Sequence, residues 1–188
     1  MNLPSKLTIG RIIIIPFFVF TLLRSNTSDT MKIIALILFL LASITDLLDG
    51  YLARARNEIT SFGKFADPIA DKLMVCSALI CFVQLGSLPA WIAIIVVCRE
   101  IIISGIRLVA VEKGVVIAAS VWGKLKTDCQ VVCCILLIIN QPHIKFINNL
   151  FIVIMLVLTI ISMVDYIIKN KAVFNDNAVS EDDFDTDN

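Results

Sequence analysis

Apolar residues in this chain come in long, nearly unbroken runs, unlike the one-sided stripes of elements that keep a face in water. Six such runs stand out, at residues 8–23, 32–53, 65–85, 89–109, 121–140 and 146–168. Each is near the roughly 20 residues that a helix needs to cross a bilayer. The pattern predicts an all-α integral membrane protein of six transmembrane helices, because backbone polar groups in lipid must be satisfied within the element itself. The first run does not read as a cleaved signal: no small-residue cleavage site follows Ile15–Leu23, and Pro16 interrupts it. Residues before Thr8 mix apolar and polar types and read as a short interfacial segment. With no repeat or linker in the body, the chain divides into a membrane domain over 1–170 and an acidic, disordered cytoplasmic tail over 171–188.

Composition agrees. The chain is 59% hydrophobic and 17% charged, with mean hydropathy +0.93. Soluble domains hold about 45–50% apolar and about 25% charged residues. A soluble domain, a disordered chain, a nucleic-acid binder and a secreted disulfide scaffold are all poor fits. The cysteines, Cys76, Cys81, Cys98, Cys129, Cys133 and Cys134, sit inside apolar runs without a Cys-x-x-Cys pair. They read as small buried hydrophobes rather than zinc ligands.

The net charge of zero hides an asymmetry. All 16 basic residues lie at or before Lys171, whereas six of the 16 acidic ones crowd the tail from Asp176 to Asp187. Between the runs, Lys6, Arg54, Arg56, Lys64, Lys113, Lys124, Lys126, Lys169 and Lys171 fall on one side of the membrane. The other side holds little more than Arg24, Lys32 and Lys145. The basic side is expected to face the cytoplasm, with both termini inside and the chain in the inner (cytoplasmic) membrane. Trp91 and Trp122, near run ends, read as interfacial anchors, and His143 as a solvated loop residue.

The second and third runs carry carboxylates. The stretch reads Asp46-x-x-Asp49-Gly50-x-x-Ala53-Arg54, then eight residues, then Gly63-x-x-x-Asp67-x-x-x-Asp71. Spacings of three and four put each aspartate pair on one helix face, with Gly50 and Ala53 leaving room for a close approach. Asp46 lies about 12 Å from the cytoplasmic end of its helix, and Asp67 and Asp71 fall in the first turns of the next. Four carboxylates can therefore converge in a cavity that faces the cytoplasm. Left unpaired they would be strongly unfavourable, and Arg54, Arg56, Lys64 and Lys72 read as too few and too superficial to neutralise them. Oxygen-only ligands suit Mg²⁺ or Mn²⁺, and paired divalent cations serve phosphoryl chemistry.

This stretch resembles the signature of the CDP-alcohol phosphatidyltransferases, D-x2-D-G-x2-A-R-x8-G-x3-D-x3-D, with all eight fixed positions present. The resemblance implies six transmembrane helices, a homodimer, and transfer of a phosphatidyl group from CDP-diacylglycerol to an alcohol with release of CMP. It implies that Asp46, Asp49, Asp67 and Asp71 hold two divalent cations, Mg²⁺ or Mn²⁺, and that Asp71 is also the general base. Asp49, Gly50, Ala53, Arg54 and Gly63 then form the CDP-diacylglycerol side. The rest of the body resembles the bacterial phosphatidylglycerophosphate synthase branch of that family. The opening Asn2-Leu3-Pro4-Ser5-Lys6-Leu7-Thr8-x-x-Arg11 is similar to that branch, with Ser5 in place of its usual Asn, and adds Thr8 and Arg11 to the donor side.

The same branch resemblance covers Arg99-Glu100, Arg107 and Gly123-Lys124-Leu125-Lys126-Thr127. It implies that Arg99, Arg107, Lys124 and Lys126 bind the phosphate of sn-glycerol 3-phosphate, a dianion that needs cations. Arg107 falls on roughly the face of Arg99, about 80° away around the helix. Glu100, adjacent in sequence, is not expected to face Arg99. Lys126 is expected to tend to a different face from Lys124, and Arg99 to be the deepest of the four cations. Asp128 and Asp165 suggest only helix–helix pairing. The alternatives are the same chemistry on inositol phosphate, serine or phosphatidylglycerol, or a cation transporter that uses the carboxylates as an ion path. A transporter would spread its carboxylates through the membrane depth, whereas these cluster at one end of two helices.

Overall fold

The computed structural model describes residues 3–56, 61–112 and 120–170, and the side chains of 9–45, 72–110 and 120–170. Among the described residues the chain is all helix and turn. Six long helices follow in order: α1 Leu3–Leu23, α2 Asp29–Arg56, α3 Ser61–Gln84, α4 Ala90–Glu112, α5 Val121–Ile139 and α6 Lys145–Lys169. A single 3₁₀ turn, Pro142–Ile144, precedes α6. The helices cover the six apolar runs, with ends moved by a few residues.

The largest difference is in α1, which is one continuous helix from Leu3 through Pro16 to Leu23. Pro16 does not interrupt it. A proline costs one backbone bond and crowds the preceding turn, and a helix packed against neighbours tolerates both. Two connections show why the helices stop where they do. Gly86 takes φ +70° just past α3, and the amides of Gly86 and Ser87 return to the carbonyls of Val83 and Phe82. At the end of α5, Asn140 takes φ 38° while its amide bonds the Leu136 carbonyl at 3.0 Å. Both are left-handed stops that satisfy late carbonyls.

α1 packs chiefly on α2 and α3, and α5 chiefly on α6. The core between them includes Phe18, Leu22, Phe39, Leu79, Phe82, Cys133, Leu137 and Met155. Phe18 and Phe39 meet with ring centroids 5.7 Å apart. Ala35, Ala42, Ala78 and Ala93 are buried, small residues of the kind that let packed membrane helices come close. The outside is apolar as well. Every helix turns large aliphatic or aromatic residues outward, among them Phe17, Ile33, Ile80, Ile101, Val132 and Val153. The stretch Pro142–Lys169 is long and apolar enough to cross a membrane, while the apolar parts Ile9–Leu23 and Lys72–Gln84 are shorter. Trp91 and Trp122 stand exposed at the second positions of α4 and α5, and His143 is exposed in the 3₁₀ turn.

Cysteines 81, 133 and 134 are buried, Cys76 and Cys129 partly so, and Cys98 is exposed on α4.

Candidate functional site

A charged side chain in an apolar helix persists only if something compensates it. α4 carries two in succession, Arg99 and Glu100, near its middle, and both are buried. Their partners come from three other helices. Glu100 Oε1 accepts from Arg99 Nη1 at 3.2 Å and from the ammonium of Lys126 on α5. Glu100 Oε2 lies 3.7 Å from the Nζ of Lys72 on α3. Arg99 Nη2 donates to Ser162 Oγ on α6 at 3.0 Å, and that hydroxyl donates to the Thr159 carbonyl at 3.0 Å. Lys72 also donates to the Glu100 carbonyl and to Ser104 Oγ. One carboxylate thus ties α3, α4 and α5 together, with α6 joined through Arg99.

Beside this node lies a cavity of about 370 Å³, walled by α3, α4 and α5. Five cationic side chains line it, Lys72, Arg99, Arg107, Lys124 and Lys126, against two carboxylates, Glu100 and Asp128. Gly123, Lys124, Lys126 and Thr127 bring the first turns of α5 to its wall. That helix is capped by Ser120, whose Oγ accepts from the Gly123 amide at 3.1 Å. A helix N-terminus adds partial positive charge to the cations already there. The cavity is suited to a small, highly charged anion.

The four acceptor-side cations expected from the sequence all reach this cavity. Three details differ. Arg99 and Glu100 do face each other, although successive residues point about 100° apart around a helix. Both side chains are long enough to curl into contact. Lys126 is the most buried of the cations, its side chain 1% exposed against 8% for Arg99. The exposed residue is Lys124. Lys72, read as superficial, reaches inward to Glu100 and Ser104. Sequence reasoning missed Glu100 as the hub, because its partners lie 26 and 28 residues away on other helices. A lone glutamate inside an apolar run, beside an excess of cations, was the available signal.

Arg107 completes the outer wall. Its guanidinium carbon lies 5.8 Å from the centroid of the Tyr166 ring on α6, a cation–π contact. Arg107 Nε is buried without a hydrogen-bond partner among the described residues. Lys124 has no ion pair there either. Of the two other carboxylates, Asp128 is exposed at the cavity and Asp165 pairs with Lys169 on its own helix at 2.7 Å. Among the described residues neither makes an ion pair to another helix, although Asp165 also interacts with the Ser120 side chain at the start of α5.

The signature residues are placed by the backbone. Asp46, Asp49, Gly50, Ala53 and Arg54 lie in the second half of α2, and Gly63, Asp67 and Asp71 in the first half of α3. Asp46 is ten residues before the end of α2, and Asp71 ten residues after the start of α3. Their side chains, and that of Thr8 on α1, lie outside the described residues. Among the described residues no three His, Cys, Asp or Glu side chains form a metal-holding group. Arg11 is described and is buried on α1. Lys72, on the cavity wall, directly follows Asp71, so the signature and the cavity adjoin along one helix.

Known proteins share this chain over most of its length. Residues 1–161 match the family model described as CDP-alcohol phosphatidyltransferase. A Bacillus subtilis protein named CDP-diacylglycerol–glycerol-3-phosphate 3-phosphatidyltransferase is 38% identical over 183 residues, covering 90% of this chain and 95% of its own. A Haemophilus influenzae protein of the same name is 41% identical, covering 94% and 97%. One from Wigglesworthia glossinidia brevipalpis is 38% identical, covering 88% and 93%. With the full signature from Asp46 to Asp71 and a match across nearly the whole membrane body, the chain belongs to the CDP-alcohol phosphatidyltransferase family.

Proposed function

We propose that this chain transfers the phosphatidyl group of CDP-diacylglycerol to sn-glycerol 3-phosphate, giving phosphatidylglycerophosphate and CMP. The observation that carries this reading is the cavity, where five cationic side chains outnumber two carboxylates at the N-terminus of α5. A dianionic phosphate on the acceptor requires such a site, and a neutral acceptor such as inositol or choline does not. The relatives' names carry the same acceptor. The same cations argue against a cation path, since they would repel its cargo.

In this reading the acceptor's phosphate enters the cavity that Arg99, Arg107, Lys124 and Lys126 line, and its hydroxyl points along α3 toward Asp71. Asp71 takes the hydroxyl proton. The freed oxygen bonds the β-phosphorus of the donor, the bond to the CMP oxygen breaks, and CMP leaves. Asp49, Gly50, Ala53, Arg54 and Gly63 receive the CDP end of the donor, with Thr8 and Arg11 from α1. That α1 packs on both α2 and α3 and buries Arg11 supports their part. Asp46, Asp49, Asp67 and Asp71 are four hard oxygen donors, a set that fits Mg²⁺ or Mn²⁺. Two such cations, when bound, supply positive charge to the donor's pyrophosphate.

The same reading has all six helices crossing the inner membrane, both termini cytoplasmic, and the cavity open to the cytoplasm. The outward apolar side chains on every helix support it. The chain works as a homodimer, which the mass of the detergent-solubilised protein tests. The decisive experiment for the reaction supplies purified protein with CDP-diacylglycerol and, separately, glycerol 3-phosphate, inositol phosphate, serine and phosphatidylglycerol. CMP release with glycerol 3-phosphate is expected. Release with another acceptor and not with this one overturns the proposal.

A further inference from the structure

The carboxylate of Glu100 accepts from Lys126 and Arg99 and lies beside Lys72, cations that also line the cavity. Three cations from three helices converging on two oxygens is the arrangement that otherwise receives a phosphate. Arg107 and Lys124, on the same cavity, make no ion pair among the described residues, although Asp128 also lines it. The cavity therefore holds two groups of cations, one already matched by an internal anion and one not.

We propose that Glu100 is a positioning residue that acts as a built-in counter-anion. It occupies the inner cation trio so that the acceptor's phosphate is held at the outer pair, Arg107 and Lys124. This rests on the reading of the cavity as the acceptor site. The inner trio without Glu100 would be the stronger anion trap, because Lys126 and Arg99 are the least solvated of these cations. A phosphate drawn that deep would leave Arg107 and Lys124 and shift its hydroxyl relative to Asp71, the sequence neighbour of Lys72. Glu100 keeps the acceptor shallow and productively placed, and gives up affinity for it.

The consequence runs opposite to ordinary damage. Glu100→Gln keeps the shape and a hydrogen-bond acceptor but removes the charge. It should tighten competitive inhibition by inorganic phosphate at least about tenfold and lower the KM for glycerol 3-phosphate similarly, while kcat falls. The donor KM should stay within about twofold of wild type, since the donor is held elsewhere. Glu100→Asp, which retains the charge, should keep phosphate inhibition near wild type. A merely structural role for Glu100 would weaken phosphate binding or leave it unchanged, and either result overturns the proposal.

A second pair of variants guards against a Glu100→Gln protein that does not fold. Lys126→Met is compared with Glu100→Gln/Lys126→Met, which removes one charge of each sign. The double variant should bind phosphate at least about tenfold more tightly than Lys126→Met alone. No tightening contradicts the proposal. Lys124→Met and Arg107→Gln, assayed alongside, separate the two claims. If both leave the KM for glycerol 3-phosphate unchanged, the cavity is not the acceptor site and the reading beneath the proposal fails. If both raise it while Glu100→Gln does not tighten phosphate, only the role given to Glu100 fails.

Discussion

Lys124 and Lys126 stand two residues apart at the start of α5, yet their removal should have very different consequences. The Lys126 side chain is 1% exposed and its ammonium donates to Glu100, whereas Lys124 is exposed and has no ion pair among the described residues. Taking one partner from a buried pair costs about 3–5 kcal/mol, because the other charge is left behind. Glu100 keeps Arg99 at 3.2 Å and Lys72 at 3.7 Å, so the loss should fall at the low end, about 3 kcal/mol. Methionine replaces most of the lysine stem and adds little cavity cost. In a chain of this size each kcal/mol moves the Tm by roughly 2–4 °C, so Lys126→Met should lose about 6–12 °C. Lys124→Met should stay within about 0.5 kcal/mol of wild type. A thiol-reactive dye reports the transition in detergent, because Cys81, Cys133 and Cys134 are buried until the bundle opens. Equal Tm values for the two variants, or a larger loss at Lys124, would refute the placement of Lys126 inside and Lys124 outside.

Four other outcomes are expected. Arg107→Gln and Lys124→Met should each raise the KM for glycerol 3-phosphate, by up to about 10- to 150-fold for a full charged hydrogen bond, with Lys124 lower because water screens it. Steady-state kinetics with varied acceptor and saturating donor check this. Asp46→Asn, Asp49→Asn, Asp67→Asn and Asp71→Asn should each lose most activity while still inserting in the membrane, and EDTA should abolish wild-type turnover until Mg²⁺ or Mn²⁺ is restored; full activity in EDTA contradicts the metal reading. Asp71→Asn should cut turnover more than donor binding, and proportional losses would leave Asp71 a ligand only. Gly86→Ala should cost about 1–2 kcal/mol in thermal unfolding with kinetics unchanged, because φ +70° strains a residue with a Cβ.

The helices were legible because each fills a long apolar run, and those runs mark their own ends to within a few residues. α1 is the exception. Its first turns, from Leu3, hold polar residues that do not extend the apolar run, and Pro16 reads as a break although the helix runs through it. The aspartate signature was legible because its spacing is local, all within one stretch of 26 residues. The cation cavity was half legible. Arg99 and Arg107 share a face of one helix, so periodicity pairs them, and Lys124 and Lys126 lie close in sequence to the same wall. What periodicity cannot supply is which cation lies deepest. That depends on Glu100, whose partners Lys72, Lys126 and, through Arg99, Ser162 come from three other helices. Side-chain reach matters too: helical angles separate Arg99 from Glu100, and their long side chains close the gap.

The central claim is that the cationic cavity holds the phosphate of glycerol 3-phosphate while the signature passes a phosphatidyl group to its hydroxyl. The most direct measurement follows radiolabelled glycerol 3-phosphate and CMP together, using purified protein with CDP-diacylglycerol and Mg²⁺, in wild type and in Arg107→Gln. Label should enter phosphatidylglycerophosphate mole for mole with CMP released. In Arg107→Gln the same product should form, but only at much higher acceptor concentration, with the donor KM unchanged. CMP released without label entering lipid, or a loss of donor affinity with acceptor affinity intact, would contradict the account.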